Sequence, residues 1–83
     1  MRVHLDARRM GRGEIHAYIK EALSLPTWYG NNLDALYDCL TDLPETELVI
    51  EHTAQADDYF QRVKRVFCAA EQENTALTVR ILK

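Results

Sequence analysis

Hydrophobic and polar positions along this chain switch between a period of two and a period near 3.6, and the switches mark its elements. Residues 1–6 set Met1, Val3 and Leu5 against polar neighbours over the length of a strand. Residues 7–13 carry three arginines and two glycines and predict a solvated connection. From Glu14 onward Ile15, Ile19, Ala22 and Leu23 recur at i, i+4, i+7 and i+8, the spacing of a helix face. Ser24-Leu25-Pro26 ends that helix, because the residue before a proline is pushed out of helical geometry. A second helix is predicted over about residues 32–41, capped by Asn31 or Asn32 and closed by Pro44. Residues 47–52 place Leu48, Val49 and Ile50 in succession, as in a parallel strand covered on both faces. Thr53 is placed to cap a short helical turn over residues 54–58. Tyr59, Phe60, Val63, Val66, Phe67 and Ala70 then repeat at helical spacing to about Glu73. Residues 77–82 read as a last strand whose interior Arg80 requires one exposed face or edge.

The order β-α-α-β-α-α-β, with helical crossovers between strands, predicts an α/β domain. Its sheet has three parallel strands, joined by right-handed connections and packed against three to four helices. The whole chain, residues 1–83, reads as one domain without repeat, linker or low-complexity tract. A domain of this size buries only about 60–65 % of its unfolded surface, so the core is small. With 47 % hydrophobic and 28 % charged residues the chain has the composition of a globular protein rather than a disordered one. No apolar run reaches the roughly 18 residues of a membrane span, and the start lacks the apolar segment of a signal peptide, so a cytoplasmic location without membrane contact is expected. Cys39 and Cys68 match no metal-binding spacing and are expected as reduced, partly buried thiols.

One stretch, residues 25–43, stands apart: LPTWYGNNLDALYDCLTDL. Pro26 and Gly30 stiffen a loop that carries Trp28 and Tyr29 and leads directly into the second helix. On a helical wheel Leu36, Tyr37 and Leu40 fall within about 60° of Leu33, an apolar stripe that must face a core. Asp34, Asp38 and Asp42 stack along another edge at i, i+4 and i+8. Like charges at that spacing destabilise a helix by about 0.2–0.5 kcal/mol per pair, and Asp42 also lies at the unfavourable end of the dipole. Asp34 is explained by helix stability alone, being in the first turn, but Asp38 and Asp42 are not. A solvated helix face is the plain alternative. Charge along the chain favours a surface for a partner: residues 21–61 contain nine acids and no Lys or Arg, while the flanks hold all ten basic residues and four acids. A negative face repels nucleic acid and attracts basic proteins or metal ions. Rigid aromatics beside acids have the makeup of an interface hot spot, although loop aromatics also serve simply as a lid on a core.

Other chemistries find less support. His4, His16 and His52 fall on separate elements and form no metal-binding motif. A Cys39 nucleophile would have its thiolate disfavoured by the neighbouring acids. The aspartate ladder suits Mg²⁺ or Ca²⁺ in ligand type, but one helix alone rarely completes a coordination shell. The arginines of residues 7–13 lack interleaved aromatics and lie near the acidic block, against direct nucleic-acid binding. No cofactor is expected.

The stretch LPTWYGNNLDALYDCL resembles the barstar family, the intracellular inhibitors of barnase-type ribonucleases. Proline, aromatic pair, glycine, asparagine and the LDAL-DCL register all match in one ungapped run, and the likeness extends more weakly through ELVIE and the closing strand. The resemblance implies a monomeric protein, not an enzyme, that binds a basic secreted or toxin ribonuclease one to one and plugs its active site. It places Asp38 where the family's central aspartate enters the basic catalytic pocket in place of a substrate phosphate, and Asp34 where a neighbour meets a second basic group. Trp28 stands where the family has a tyrosine that stacks on the enzyme. Asn32, Leu33 and Thr41 occupy further contact positions, and Glu73 resembles a glutamate near the end of the last helix. Tyr29, Gly30, Tyr37, Asp42 and Leu43 complete the candidate surface. The chain departs from the family where Tyr37 and Leu43 replace tryptophans and where Ala69 replaces an acid. It is also shorter between Glu51 and Phe67 than the founding member, which predicts a third helix reduced to a stub or lost. An antitoxin or immunity role follows from the resemblance. An acidic module for a basic, non-nuclease partner and a metal-dependent enzyme using the aspartate ladder are the alternatives.

Overall fold

In the computed structural model, which describes residues 1–27 and 29–82, the predicted strands pair in chain order. β1 (Arg2–Asp6), β2 (Thr46–Glu51) and β3 (Leu77–Ile81) form one parallel sheet, with Val3 opposite Leu48 and Leu48 opposite Val79. Parallel pairing requires a crossover between successive strands. The helices α1 (Ile15–Ala22) and α2 (Leu33–Thr41) make the first crossover, and α3 (Tyr59–Glu73) makes the second.

Helix and strand periods meet in a single core. Leu5, Leu48, Ile50 and Leu77 project from the sheet onto Ile15 and Ile19 of α1, Leu36 and Leu40 of α2, and Phe60, Val63, Phe67 and Ala70 of α3. α2 packs against α3, and α3 against β3. The connection after β1 is more than solvated chain. Its Ala7–Arg9 segment is a 3-10 turn, and Ala7 and Met10 are buried in the core. Arg9 and Arg12 lie over the rings of Tyr18 and Tyr59, at 4.4 Å and 4.9 Å from the centroids, fastening this connection to α1 and α3.

Two expectations change. The central strand is not covered by helices on both faces: Arg2, His4, Thr78 and Arg80 are exposed on the face opposite the core. Val49, flanked in the register by His4 and Arg80, is nevertheless buried. Glu47 holds the Arg2 guanidinium at 2.6 Å and that of Arg80 at 3.3 Å, tying all three strands together. The helix expected over residues 54–58 is only a 3-10 turn, Thr53–Gln55, preceded by His52 in left-handed geometry at φ 61°. Thr53 does not cap it, since its hydroxyl donates to the Leu82 carbonyl at 2.9 Å. Among the described residues three α-helices share the core with the sheet, and of the two outcomes left for the shortened segment, a stub or a lost helix, the 3-10 turn is the stub.

Candidate functional site

The loop between α1 and α2 is held from below. Leu25 and Tyr29 are buried in the core, and the Tyr29 N–H donates to the Pro26 carbonyl at 3.0 Å, closing a tight turn between them. Tyr29 is only 4 % exposed, and its hydroxyl lies 2.7 Å from His16 Nδ1 on α1. It therefore does not stand out from the loop as the sequence suggests of the aromatic pair. It anchors the loop. Burial pushes the Tyr29 phenol up to about 12, with smaller contributions from Cys39 and Tyr59, and burial lowers the pKa of His16. Trp28, the other aromatic, lies outside the described residues.

Past the anchor the chain turns through Asn31, at φ 55°, and enters α2 at Asn32. Asn32, rather than Asn31, is the cap. Its Oδ1 accepts from the Ala35 N–H at 2.8 Å and its Nδ2 donates to the Gly30 carbonyl at 3.1 Å. Such a cap contributes about 1 kcal/mol and fixes where the helix starts. Space around Gly30 is tight, since a Cβ there would approach Asn32 Nδ2 to 3.2 Å and Ala35 Cβ to 3.4 Å.

α2 presents two sides. Leu36 and Leu40 are fully buried, while Leu33 and Tyr37 pack half-buried at the core margin. Asp34, Asp38 and Asp42 are exposed, and among the described residues none of the three forms an ion pair. Between ladder and loop lies a concavity of about 250 Å³ lined by Tyr29, Gly30, Ala35, Asp38, Cys39 and Asp42. Burial pushes the Cys39 thiol up, and Asp38 and Asp42 push it further, so that it stays protonated at neutral pH. Thr41 donates its hydroxyl to the Asp38 carbonyl at 2.9 Å. Among the described residues no three His, Cys, Asp or Glu side chains come together as a metal site.

The far end of α2 is fixed by Asn74, a residue the periodicity does not single out. Its Nδ2 donates to the carbonyls of Leu40 and Leu43, both at 3.0 Å, and its Oδ1 accepts from the Ala76 N–H at 3.0 Å. Leu43 is half-buried against the core, and Glu73, exposed, immediately precedes this tie. The fold thus brings Glu73 to the end of α2 that carries Thr41, Asp42 and Leu43. His16, which the sequence suggests is structural rather than a ligand, serves structure here, although its partner Tyr29 is not legible from spacing.

The charge segregation of the sequence is partly undone in space. Of the acids in residues 21–61, Glu47 is paired with Arg2 and Arg80, and Glu51 lies 2.8 Å from His4 Nδ1. Among the described residues the three aspartates of the α2 ladder have no cationic partner, and neither do Glu45 and Glu73.

The family model described as "Barstar (barnase inhibitor)" matches residues 1–82. A relative in Bacillus subtilis (strain 168), named "Putative ribonuclease inhibitor YrdF", is 45 % identical over 49 residues, covering 54 % of this chain and 54 % of the relative. The match thus spans about half the length of that relative. Because the family model takes in both the loop with its acidic helix and the whole parallel sheet that supports them, the chain belongs to the barstar family.

Proposed function

We propose that the protein inhibits a barnase-type ribonuclease, with the loop of residues 25–32 and the acidic edge of α2 closing the enzyme's active site. The observation that carries this reading is the ladder itself. Three carboxylates stand exposed and without ion-pair partners among the described residues, on a helix whose other side is sealed in the core. Asp38 and Asp42 cost α2 stability where they stand, which a purely structural helix face does not require. Ribonuclease sites bind phosphates through cationic side chains. A rigid helix with spaced carboxylates offers the same charges without a bond to cleave. Asp38, at the middle of the ladder and on the wall of the concavity, is the phosphate mimic, with Asp34 meeting a second cation and Glu73 a further one. In a cell this activity serves as an antitoxin or immunity function, keeping a toxic ribonuclease inactive in the cytoplasm as a one-to-one complex.

Calorimetric titration with barnase tests it. Asp38→Ala should weaken binding by about 2–5 kcal/mol, a range that rests on barnase and barstar themselves rather than on the present geometry. Folding stability should stay level or rise by a few tenths of a kcal/mol, because the substitution removes like-charge repulsion along α2. A loss of affinity below about threefold, or a marked fall in the urea midpoint, would make the ladder a feature of the fold and not of a partner surface.

A further inference from the structure

Asp42 occupies a place that phosphate mimicry by Asp38 leaves unexplained. It is the C-cap of α2, where the negative end of the helix dipole already disfavours an acid, and the last turn of the helix holds no basic residue. Two concavities meet at Asp42 and Cys39. One is the groove beside Asp38. The other, of about 370 Å³, runs between Leu23, Leu25 and Pro26 on the loop side and Leu43 and Pro44 beyond the helix. Met1, whose side chain is 66 % exposed, forms part of its rim. Its walls are therefore largely apolar. The Cys39 thiol adds no charge to them, being kept protonated by burial and by the two flanking aspartates. At one corner a free carboxylate coincides with the negative end of a helix.

An apolar trough with one anionic corner fits a side chain that has an aliphatic stem and a cationic head. We infer that this trough is a second subsite of the partner surface and receives an arginine side chain of the ribonuclease, its stem against Leu25, Pro26 and Leu43 and its guanidinium on Asp42. The inference rests on the ribonuclease-inhibitor reading above. Charge complementarity selects the occupant, and continuity selects the place. Because the two concavities share Cys39 and Asp42, a single basic enzyme surface seated over Asp38 reaches the trough without a separate docking event.

Two measurements on the intact chain separate this inference from the reading it rests on. The first uses N-butylguanidinium, which carries the arginine head on a short alkyl stem, with uncharged N-butylurea as control. Titration followed by amide NMR shifts should give saturable changes at Leu25, Asp42 and Leu43, lost in Asp42→Asn and absent with the urea. Equal shifts from the urea, or shifts that persist in Asp42→Asn, overturn the subsite. The second is titration with barnase. Asp38→Ala reports on inhibition as such, whereas Asp42→Asn should weaken binding at least about fivefold at low salt, and Leu43→Ala should weaken it as well. Thermal midpoints of both variants show whether they are folded. Binding that Asp38→Ala abolishes but Asp42→Asn changes less than twofold leaves the inhibitor reading standing and removes the subsite. Should barnase not bind at all, that reading fails with this enzyme, and the guanidinium titration alone decides the trough.

Discussion

Removing the Tyr29 hydroxyl tests whether the aromatic loop is positioned by a buried latch. In Tyr29→Phe the ring still fills its place among the core residues, so the lost interaction is the 2.7 Å hydrogen bond to His16 Nδ1. A typical net hydrogen bond contributes about 0.5–1.5 kcal/mol, and a buried partner left unsatisfied adds about 1–3 kcal/mol. His16 is only half-buried, so water reaches the orphaned nitrogen and holds the total near the lower end, about 1 kcal/mol. For a domain of this length that corresponds to a fall of about 4–8 °C in Tm. Urea unfolding of wild type and variant at pH 7.5 measures it. A difference within about 0.3 kcal/mol, the error expected from unfolded-state effects, would refute the latch. Because the hydroxyl faces α1 and not solvent, affinity for barnase should change less than about threefold in the same variant. The latch also has a pH signature. Burial lowers the His16 pKa in the folded chain, so the unfolded chain binds a proton first as pH falls. The stabilising contribution is complete above the unfolded value near 6.5 and is lost as pH drops from there toward the folded value. His16→Gln should flatten that part of the wild-type stability profile; an unchanged slope between pH 7.5 and 5.5 would show that other groups cause it.

Asn74→Ala deletes three hydrogen bonds at the joint between α2, α3 and β3 and should cost about 2 kcal/mol, read as a lower urea midpoint; a cost under about 0.5 kcal/mol would mean that water replaces the tie without loss. Association with a basic ribonuclease should be fast and should slow steeply with salt, because the ladder acts over a Debye length of about 8–10 Å. Stopped-flow rates that stay flat from low to half-molar NaCl would remove electrostatic steering and favour a partner that is not a nuclease.

The periodic elements were legible because each buries one face against the same core. Ile15 and Ile19, Leu36 and Leu40, and Phe60, Val63 and Phe67 all sit where their spacing puts them. The errors fall where contacts are long in range or where a side chain does two things. Val49 reads as a core residue and is buried, yet it lies outside the core cluster, on the strand face whose other residues include exposed His4 and Arg80. Ala7 and Met10 lie in a stretch whose glycines and arginines suggest solvent, yet both are buried, while Arg9 and Arg12 of the same stretch lie over the rings of Tyr18 and Tyr59, contacts that spacing does not reveal. Thr53 resembles a cap but satisfies the carbonyl of Leu82 near the end of the chain, a partner no local pattern reveals.

The site was legible in its charges more than in its aromatics. A ladder at i, i+4 and i+8 is fixed by helix geometry alone, so Asp34, Asp38 and Asp42 needed only the start of α2 to be placed, and Asn32 supplies it. An aromatic in a loop can point either way, and Tyr29 points in, since α1 offers His16 as a partner for its hydroxyl. Nor could sequence show which acids remain free. Nine acids fall in one uninterrupted block, but parallel pairing brings Arg2 and Arg80 from opposite ends of the chain onto Glu47, and His4 onto Glu51. The sheet thus draws on two distant arginines to neutralise Glu47, while the helix beside the loop keeps all three of its aspartates without a cationic partner among the described residues. The stacking of three exposed, unpaired carboxylates on one helix edge, more than the net charge of −3, makes that edge suited to a basic partner.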